Sequence, residues 1–151
     1  MPKRITRRSK NSYRSGFEKT VADQLTKAGV KFEYETEELE YFIKRRGAFC
    51  ESCGSDEVLE SHWYTPDFKI GDVYIEVKGK FTSSARTKMK AVKEAWPFLD
   101  IRMLFMRDNW LTKNHNSRYS DWAVSSGFKF AIHKLPVEWI KEFIIKQNGG
   151  K

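Results

Sequence analysis

The stretch from Thr65 to Lys78, Thr-Pro-Asp-Phe-Lys-Ile-Gly-Asp-Val-Tyr-Ile-Glu-Val-Lys, constrains the fold more than any other part of the chain. Two short runs of alternating apolar and polar residues flank Gly71-Asp72, a dipeptide suited to a two-residue hairpin turn. With that turn, Ile70 pairs with Val73, Lys69 with Tyr74, Phe68 with Ile75, and Asp67 with Glu76, while Pro66 faces Val77. Side chains alternate across a strand, so the hairpin has two distinct faces. Pro66, Phe68, Ile70, Val73, Ile75 and Val77 form an apolar face that belongs in a core. Thr65, Asp67, Lys69, Tyr74, Glu76 and Lys78 form the other.

In this register the Cβ atoms of Asp67 and Glu76 stand about 5 Å apart. Two facing carboxylates repel, which costs stability unless a cation lies between them. Mg²⁺ suits such a pair, because it takes hard oxygen ligands and keeps waters free for a phosphate substrate. Lys78, two residues beyond Glu76 on the same face, is placed to orient a water or to neutralise charge developing on a phosphoryl group. An ordinary charged sheet surface would give the same spacing, so the motif alone leaves both readings open.

Charge bears on the choice. The 151 residues carry a formal net charge of +8, and phosphates attract such a surface. Lys3, Arg4, Arg7, Arg8, Lys10 and Arg14 all precede the first acidic residue, Glu18, so residues 1–14 read as a flexible basic arm. A solvated tail has the same composition. No apolar run approaches a membrane span and no signal-peptide core is present, which points to a soluble protein of the cytoplasm. Cys50 and Cys53 alone give no disulfide framework, consistent with a reducing compartment.

Residues 15–148 read as one domain. Ser15-Gly-Phe-Glu18 has the form of a capping box, and Phe17, Val21, Leu25 and Ala28 continue at helical spacing to Gly29. Val30 to Tyr34 alternates as a strand, and a second strand is expected over Leu39–Ile43. Ser83 or Ser84 starts a helix that ends before Pro97. Ile101 to Met106 is an apolar run of the buried-strand kind. Tyr119–Ser125 reads as a short helix, Phe128–Ile132 as a last strand, and Pro136 as the opening of a final helix. The strand–helix–strand order predicts an α/β fold with a central mixed sheet flanked by helices.

Pro66-Asp67 followed by Glu76-Val77-Lys78 resembles the signature of the PD-(D/E)xK nuclease superfamily. Further stretches are similar to the bacteriophage endonuclease I family of Holliday-junction resolvases. They are Arg14-Ser-Gly-Phe-Glu18, Gly29-Val-Lys-Phe-Glu-Tyr-Glu35, Tyr64-Thr-Pro-Asp-Phe68, Glu76-Val-Lys-Gly79, Leu99-Asp-Ile-Arg102 and Glu138-Trp-Ile-Lys-Glu142. The resemblance implies a domain-swapped homodimer in which Glu18 of one subunit joins Asp67, Glu76 and Lys78 of the other. It implies the Val77 carbonyl as a further metal ligand, and it sets Glu33 at an acidic position near the site. It implies Mg²⁺-dependent hydrolysis of branched DNA, with Mn²⁺ as a substitute, leaving 5′-phosphate ends. Arg4, Arg7, Arg8, Arg14, Lys80, Arg86, Lys88 and Lys90 are then candidate phosphate contacts. Two other readings remain: a nuclease of the same superfamily acting on linear duplex DNA, and a basic DNA-binding protein without activity.

One segment departs from the family. Residues 44–63 are longer than expected and read as an inserted loop holding Cys50-Glu-Ser-Cys53-Gly54 and then His62. A Cys-x-x-Cys-Gly turn aims two thiolates at one metal, and His62 is the nearest third ligand for Zn²⁺. Asp56, Glu57, Glu60 or a residue from another segment would complete the set. Unliganded thiols and a redox pair are the alternatives.

Overall fold

The computed structural model describes residues 2–5, 12–45, 47, 50–54 and 58–149. Arg7, Arg8, Lys10, Asp56 and Glu57 lie outside them. Two sheets carry the architecture. The larger has the strand order β2(Glu33–Tyr34), β5(Phe68–Ile70), β6(Val73–Lys78), β7(Asp100–Phe105), β8(Lys129–Ile132). It is mixed, with β2, β5 and β6 antiparallel and β6, β7 and β8 parallel. The parallel steps are made by α2(Ser83–Ala95) and α3(Tyr119–Ser125), as long crossovers require. The hairpin takes the register that alternation predicts, with Phe68 opposite Ile75, Lys69 opposite Tyr74 and Ile70 opposite Val73. Gly71 makes the turn at φ +62°, in the left-handed region that glycine enters freely.

Alternation then feeds two cores rather than one. Phe68, Ile70, Val73, Ile75 and Val77 pack with Val21, Ala22 and Leu25 of α1(Gly16–Lys27) and with Phe143 of α4(Val137–Gln147). On the other face Tyr74 packs with Met89 and Val92 of α2, Met103 and Phe105 of β7, and Trp122 of α3. The hairpin's polar face is therefore covered, and Tyr74 is buried rather than solvated.

That cover includes a second, three-stranded sheet in the order β1(Lys3–Ile5), β3(Glu37–Arg45), β4(Val58–Tyr64). β3 is longer than the expected Leu39–Ile43, and β3 and β4 take up the two ends of the segment read as a loop. Its run Val-Leu-Glu-Ser-His-Trp-Tyr has no period-2 pattern, because several of its residues are exposed or half-exposed. β1 takes up three residues at the start of the basic stretch, pairing Lys3 with Leu39. β2 is shorter than its alternation suggests, since Glu35 at φ +47° turns the chain toward β3.

Helix starts follow local chemistry. The Ser15 hydroxyl accepts the Glu18 amide at 3.1 Å, so half of the capping box forms. Glu18 itself turns elsewhere, as described below. α2 is capped by Thr82 rather than by Ser83 or Ser84; its hydroxyl accepts the Ala85 amide at 3.2 Å. Among the described residues no helix is long and apolar enough to cross a membrane.

Candidate active site

Glu76, 1% exposed, lies within the buried run 73–77 of β6. One carboxylate oxygen accepts the Tyr64 hydroxyl at 2.5 Å, and the other meets the Lys78 ammonium at 2.5 Å. Alternation places Glu76 and Lys78 on one face, so the ion pair follows from strand geometry alone. Burial alone would lower the Lys78 pKa, but the charge and hydrogen bond of Glu76 outweigh it and the net shift is upward. Burial, then the charges of Glu76 and Asp67, hold the Tyr64 hydroxyl protonated far above its ordinary range.

Asp67 precedes β5 and is 9% exposed. Its carboxylate accepts the Val77 amide at 2.7 Å. Backbone N–H and C=O of one strand residue point the same way, so the Val77 carbonyl also faces the Asp67 side. Lys78 faces the opposite neighbour, its carbonyl accepting the Met106 amide at 2.9 Å. Pro66, across from Val77, has no amide to donate to it. Burial, and then the like charge of Glu76, push the Asp67 pKa up to about 8, with Glu18 adding to the push.

Glu18 therefore lies within electrostatic reach of Asp67 and Lys78 in its own chain. It is buried, and its carboxylate accepts the Tyr34 hydroxyl at 2.5 Å and the Arg14 amide at 3.1 Å. The resemblance implies this glutamate from another subunit; the single chain already brings it to its own hairpin. The three carboxylates are each engaged by protein groups, and no group of three His, Cys, Asp or Glu among the described residues converges to hold a metal.

Sequence reasoning missed three supports. Tyr34 reads as a strand aromatic and Tyr64 only as part of a family stretch, yet their hydroxyls hold Glu18 and Glu76. Glu35, not Glu33, is the buried acid beside the site: its amide donates to the Asp67 carbonyl at 3.0 Å and its carboxylate pairs with Arg14 at 2.8 Å. Glu33 is exposed and accepts the Thr36 hydroxyl. The stretch Phe-Glu-Tyr-Glu held both acids, but only the positive φ of Glu35 separates their fates.

The candidate phosphate contacts divide. Arg14 is tied to Glu35, and Arg86 donates to the Phe81 carbonyl at 2.9 Å. Lys88 lies over the ring of Tyr64 at 5.2 Å, whereas Lys80 and Lys90 are exposed. Arg4 stacks over Trp63 at 3.9 Å on the smaller sheet.

Among the described residues the expected zinc ligands Cys50, Cys53 and His62 do not gather into one group. In the turn between β3 and β4 the Gly54 amide donates to the Cys50 carbonyl at 2.8 Å. The Cys50 thiol is lowered to about 6, first by the Cys53 side chain and then by Ser52. His62 does not join the two thiols. It sits in β4 opposite Tyr41, stacks on that ring, and lies 3.6 Å from Glu60. Four residues of strand, on the order of 13 Å, separate it from the start of β4.

The phage endonuclease I family model matches residues 1–150 of the chain. The sequence is 34% identical over 153 residues to Endonuclease I of Escherichia phage T7, covering 95% of this chain and 93% of that protein. It is 34% identical over 133 residues to Endodeoxyribonuclease 1 of Enterobacteria phage T3, covering 87% of this chain and 78% of that one.

Proposed function

Because the chain belongs to the phage endonuclease I family, we propose that it is a structure-selective endodeoxyribonuclease that cuts four-way and other branched DNA junctions. The observation that carries this reading is the assembly of Asp67, Glu76 and Lys78 at one end of a buried hairpin, with Glu18 beside them. In this reading the fold is of the PD-(D/E)xK type, residues 15–148 form the nuclease domain, and the arm adds phosphate contacts.

The chemistry of the donors, hard oxygen atoms with crowded like charges, fits Mg²⁺ or Mn²⁺. Two buried carboxylates of like charge, one holding its proton to about pH 8, lose that conflict beside a divalent cation. Asp67, Glu76, Glu18 and the Val77 carbonyl would hold it through hard oxygen atoms. When bound, the cation supplies Lewis-acid stabilisation of charge on the phosphoryl oxygens. Lys78 stays protonated at neutral pH, so it serves as a donor that orients the attacking water or neutralises phosphoryl charge rather than as a base. Tyr64 keeps Glu76 in place, and Tyr34 does the same for Glu18. Water adds to phosphorus and gives up a proton to solvent, the bond to the 3′ oxygen breaks as that oxygen takes up a proton, and the products are a 5′-phosphate and a 3′-hydroxyl. Selectivity comes from shape and backbone contacts rather than base reading.

A four-way junction and its linear duplex arms, incubated with and without Mg²⁺, test the reading. The junction should be nicked at least about tenfold faster than the duplex, and only with the cation. Equal cleavage of both defeats junction selectivity and favours a duplex nuclease. No nicking in Mg²⁺ or Mn²⁺ leaves a DNA-binding protein.

A homodimer with two sites suits paired nicks in two strands. Mixed dimers of Glu18→Gln with Glu76→Gln tell where Glu18 acts. If Glu18 is exchanged between subunits, one site of the mixed dimer keeps both glutamates, and nicking of one strand persists at about half the normal rate. If each chain uses its own Glu18, both sites lose one glutamate and nicking stops.

A further inference from the structure

We propose that the groove between α1 and the ends of β7 and β8 seats the nucleotide next to the scissile phosphate, turned out of the stack at the branch point. The proposal rests on the nuclease reading above and gives it a binding subsite. Phe17, Thr20, Gln24, Met106, His133 and Lys134 line a space of about 540 Å³. That lies within the range of small-ligand sites, on the order of 300–1,000 Å³.

Both walls adjoin the site. Phe17 directly precedes Glu18. Met106 follows β7, its amide donates to the Lys78 carbonyl at 2.9 Å, and its methyl carbon lies 3.6 Å from where a Cβ on Gly79 would stand. Phe17 and Gly79 each stand one residue from a site residue, Glu18 and Lys78, and on this proposal a strand whose phosphate reaches Lys78 crosses the sheet end to the groove with its next nucleotide.

The groove is also held rigidly. The Gln24 amide exchanges two hydrogen bonds with the Leu135 backbone, at 2.8 and 3.0 Å, and so pins α1 to the segment after β8. His133 stands at φ +73°, in the left-handed region that a residue with a Cβ rarely adopts. Its amide donates to the Phe105 carbonyl at 2.7 Å, and the Lys134 amide to Ile132 at 2.9 Å. Strain maintained by its neighbours is a mark of functional positions. Here it sets two exposed basic side chains on the rim.

The chemistry matches a nucleotide of any base. A phenyl and a thioether offer apolar contact to a base or sugar. The His133 and Lys134 side chains offer donors to a phosphate. Gln24 is the lining residue best able to read a base edge, and both ends of its amide are already taken. Contact without base readout is how sequence-tolerant single-strand sites work. Duplex DNA keeps its bases stacked, whereas a branch point releases one at lower cost.

The test places 2-aminopurine at the nucleotide flanking the scissile phosphate and follows its emission when the junction binds in chelator. The unmutated protein should change the emission, while Met106→Ala combined with Lys134→Ala binds the junction with that change largely lost. In single-turnover cleavage with Mg²⁺, an abasic position there should slow the unmutated protein by about tenfold. The double variant should be slowed to a similar extent on the intact junction, and no further on the abasic one. His133→Gly, which relieves the strained φ, should melt no lower than the unmutated protein and bind the junction more weakly. Unchanged emission on binding overturns the proposal, as does an abasic penalty that persists undiminished in the double variant. If binding changes the emission but no nicking follows, the subsite stands and the nuclease reading fails.

Discussion

Glu76→Gln should lower Mg²⁺-dependent junction cleavage by on the order of 10³-fold while leaving fold and junction binding intact. The substitution conserves shape, and the amide oxygen still accepts the Tyr64 hydroxyl. What it removes is the charge that pairs with Lys78 and would hold a cation. A second readout follows from Asp67. Burial, then Glu76, raise that carboxyl to about 8. An acid raised on folding contributes most to stability below its unfolded pKa of about 4, and the contribution is lost as pH rises through the folded value. Protein stripped of cations should therefore lose stability between about pH 4 and 8. Glu76→Gln removes one cause, so its melting temperature should fall less over that window. Single-turnover cleavage, binding in chelator and melting curves against pH measure all three. Cleavage within tenfold of the unmutated protein would falsify the assignment of Glu76.

The hairpin was legible because two independent patterns agree there. A glycine turn fixes register, and period-2 alternation fixes faces, so the Asp67, Glu76 and Lys78 cluster needs nothing else from the chain. The first helix was legible for a similar reason: the Ser15 cap, an apolar stripe and the stop at Gly29 mark it. The smaller sheet was not. β4 is an outlying strand whose polar and apolar residues do not alternate, and β1 lies within a run of cations. Burial of the hairpin's polar face depends on cover from those strands and from α2, which no local pattern announces.

The supports of the site were hidden for a related reason. Tyr34 and Tyr64 act through their hydroxyls on residues distant in sequence, while strand patterning registers only their rings. Glu33 and Glu35 share a period-2 position, so alternation treats them alike. A backbone turn at Glu35 buries one and exposes the other. The Cys50-x-x-Cys53 turn was visible, but the position of His62 is set by pairing with β3 and not by its distance along the chain. Resemblance to the family supplied Glu18; its half-used capping box alone explained the residue without chemistry.

Arg102→Ala should cost about 3 kcal/mol of stability and leave the cleavage rate of folded protein within a factor of about two. Arg102 is 0% exposed, faces the α4 side of the sheet, and shares a register position with Ile75. Its guanidinium donates to Asp100 at 3.0 and 2.6 Å and to Glu142 at 2.8 and 2.7 Å. The rings of Trp139 and Phe143 lie 5.0 and 5.6 Å away. It thus fastens α4 to β7 through two bidentate pairs. Alanine leaves a cavity and two carboxylates that have lost their main partner. Their side chains are 30% and 34% exposed, so water recovers part of the loss, which favours the low end of the usual cost of breaking a buried pair. For a chain of this size the melting temperature should fall by about 10 °C at neutral pH. Hydrogen bonds to Arg102 hold both acids below their ordinary values. Stability from such acids is present above the unfolded pKa and is lost as pH falls through the folded one. The gap between the two proteins should therefore narrow below about pH 4. A fall of less than about 3 °C at neutral pH, or a gap that widens on acidification, would contradict the role given to this cluster. The contrast with Glu76 is physical. Arg102 has two carboxylates for one cation and lies behind the sheet, whereas Asp67 and Glu76 crowd two carboxylates onto the one ammonium of Lys78. The first arrangement stabilises the fold by itself, and the second calls for a further cation.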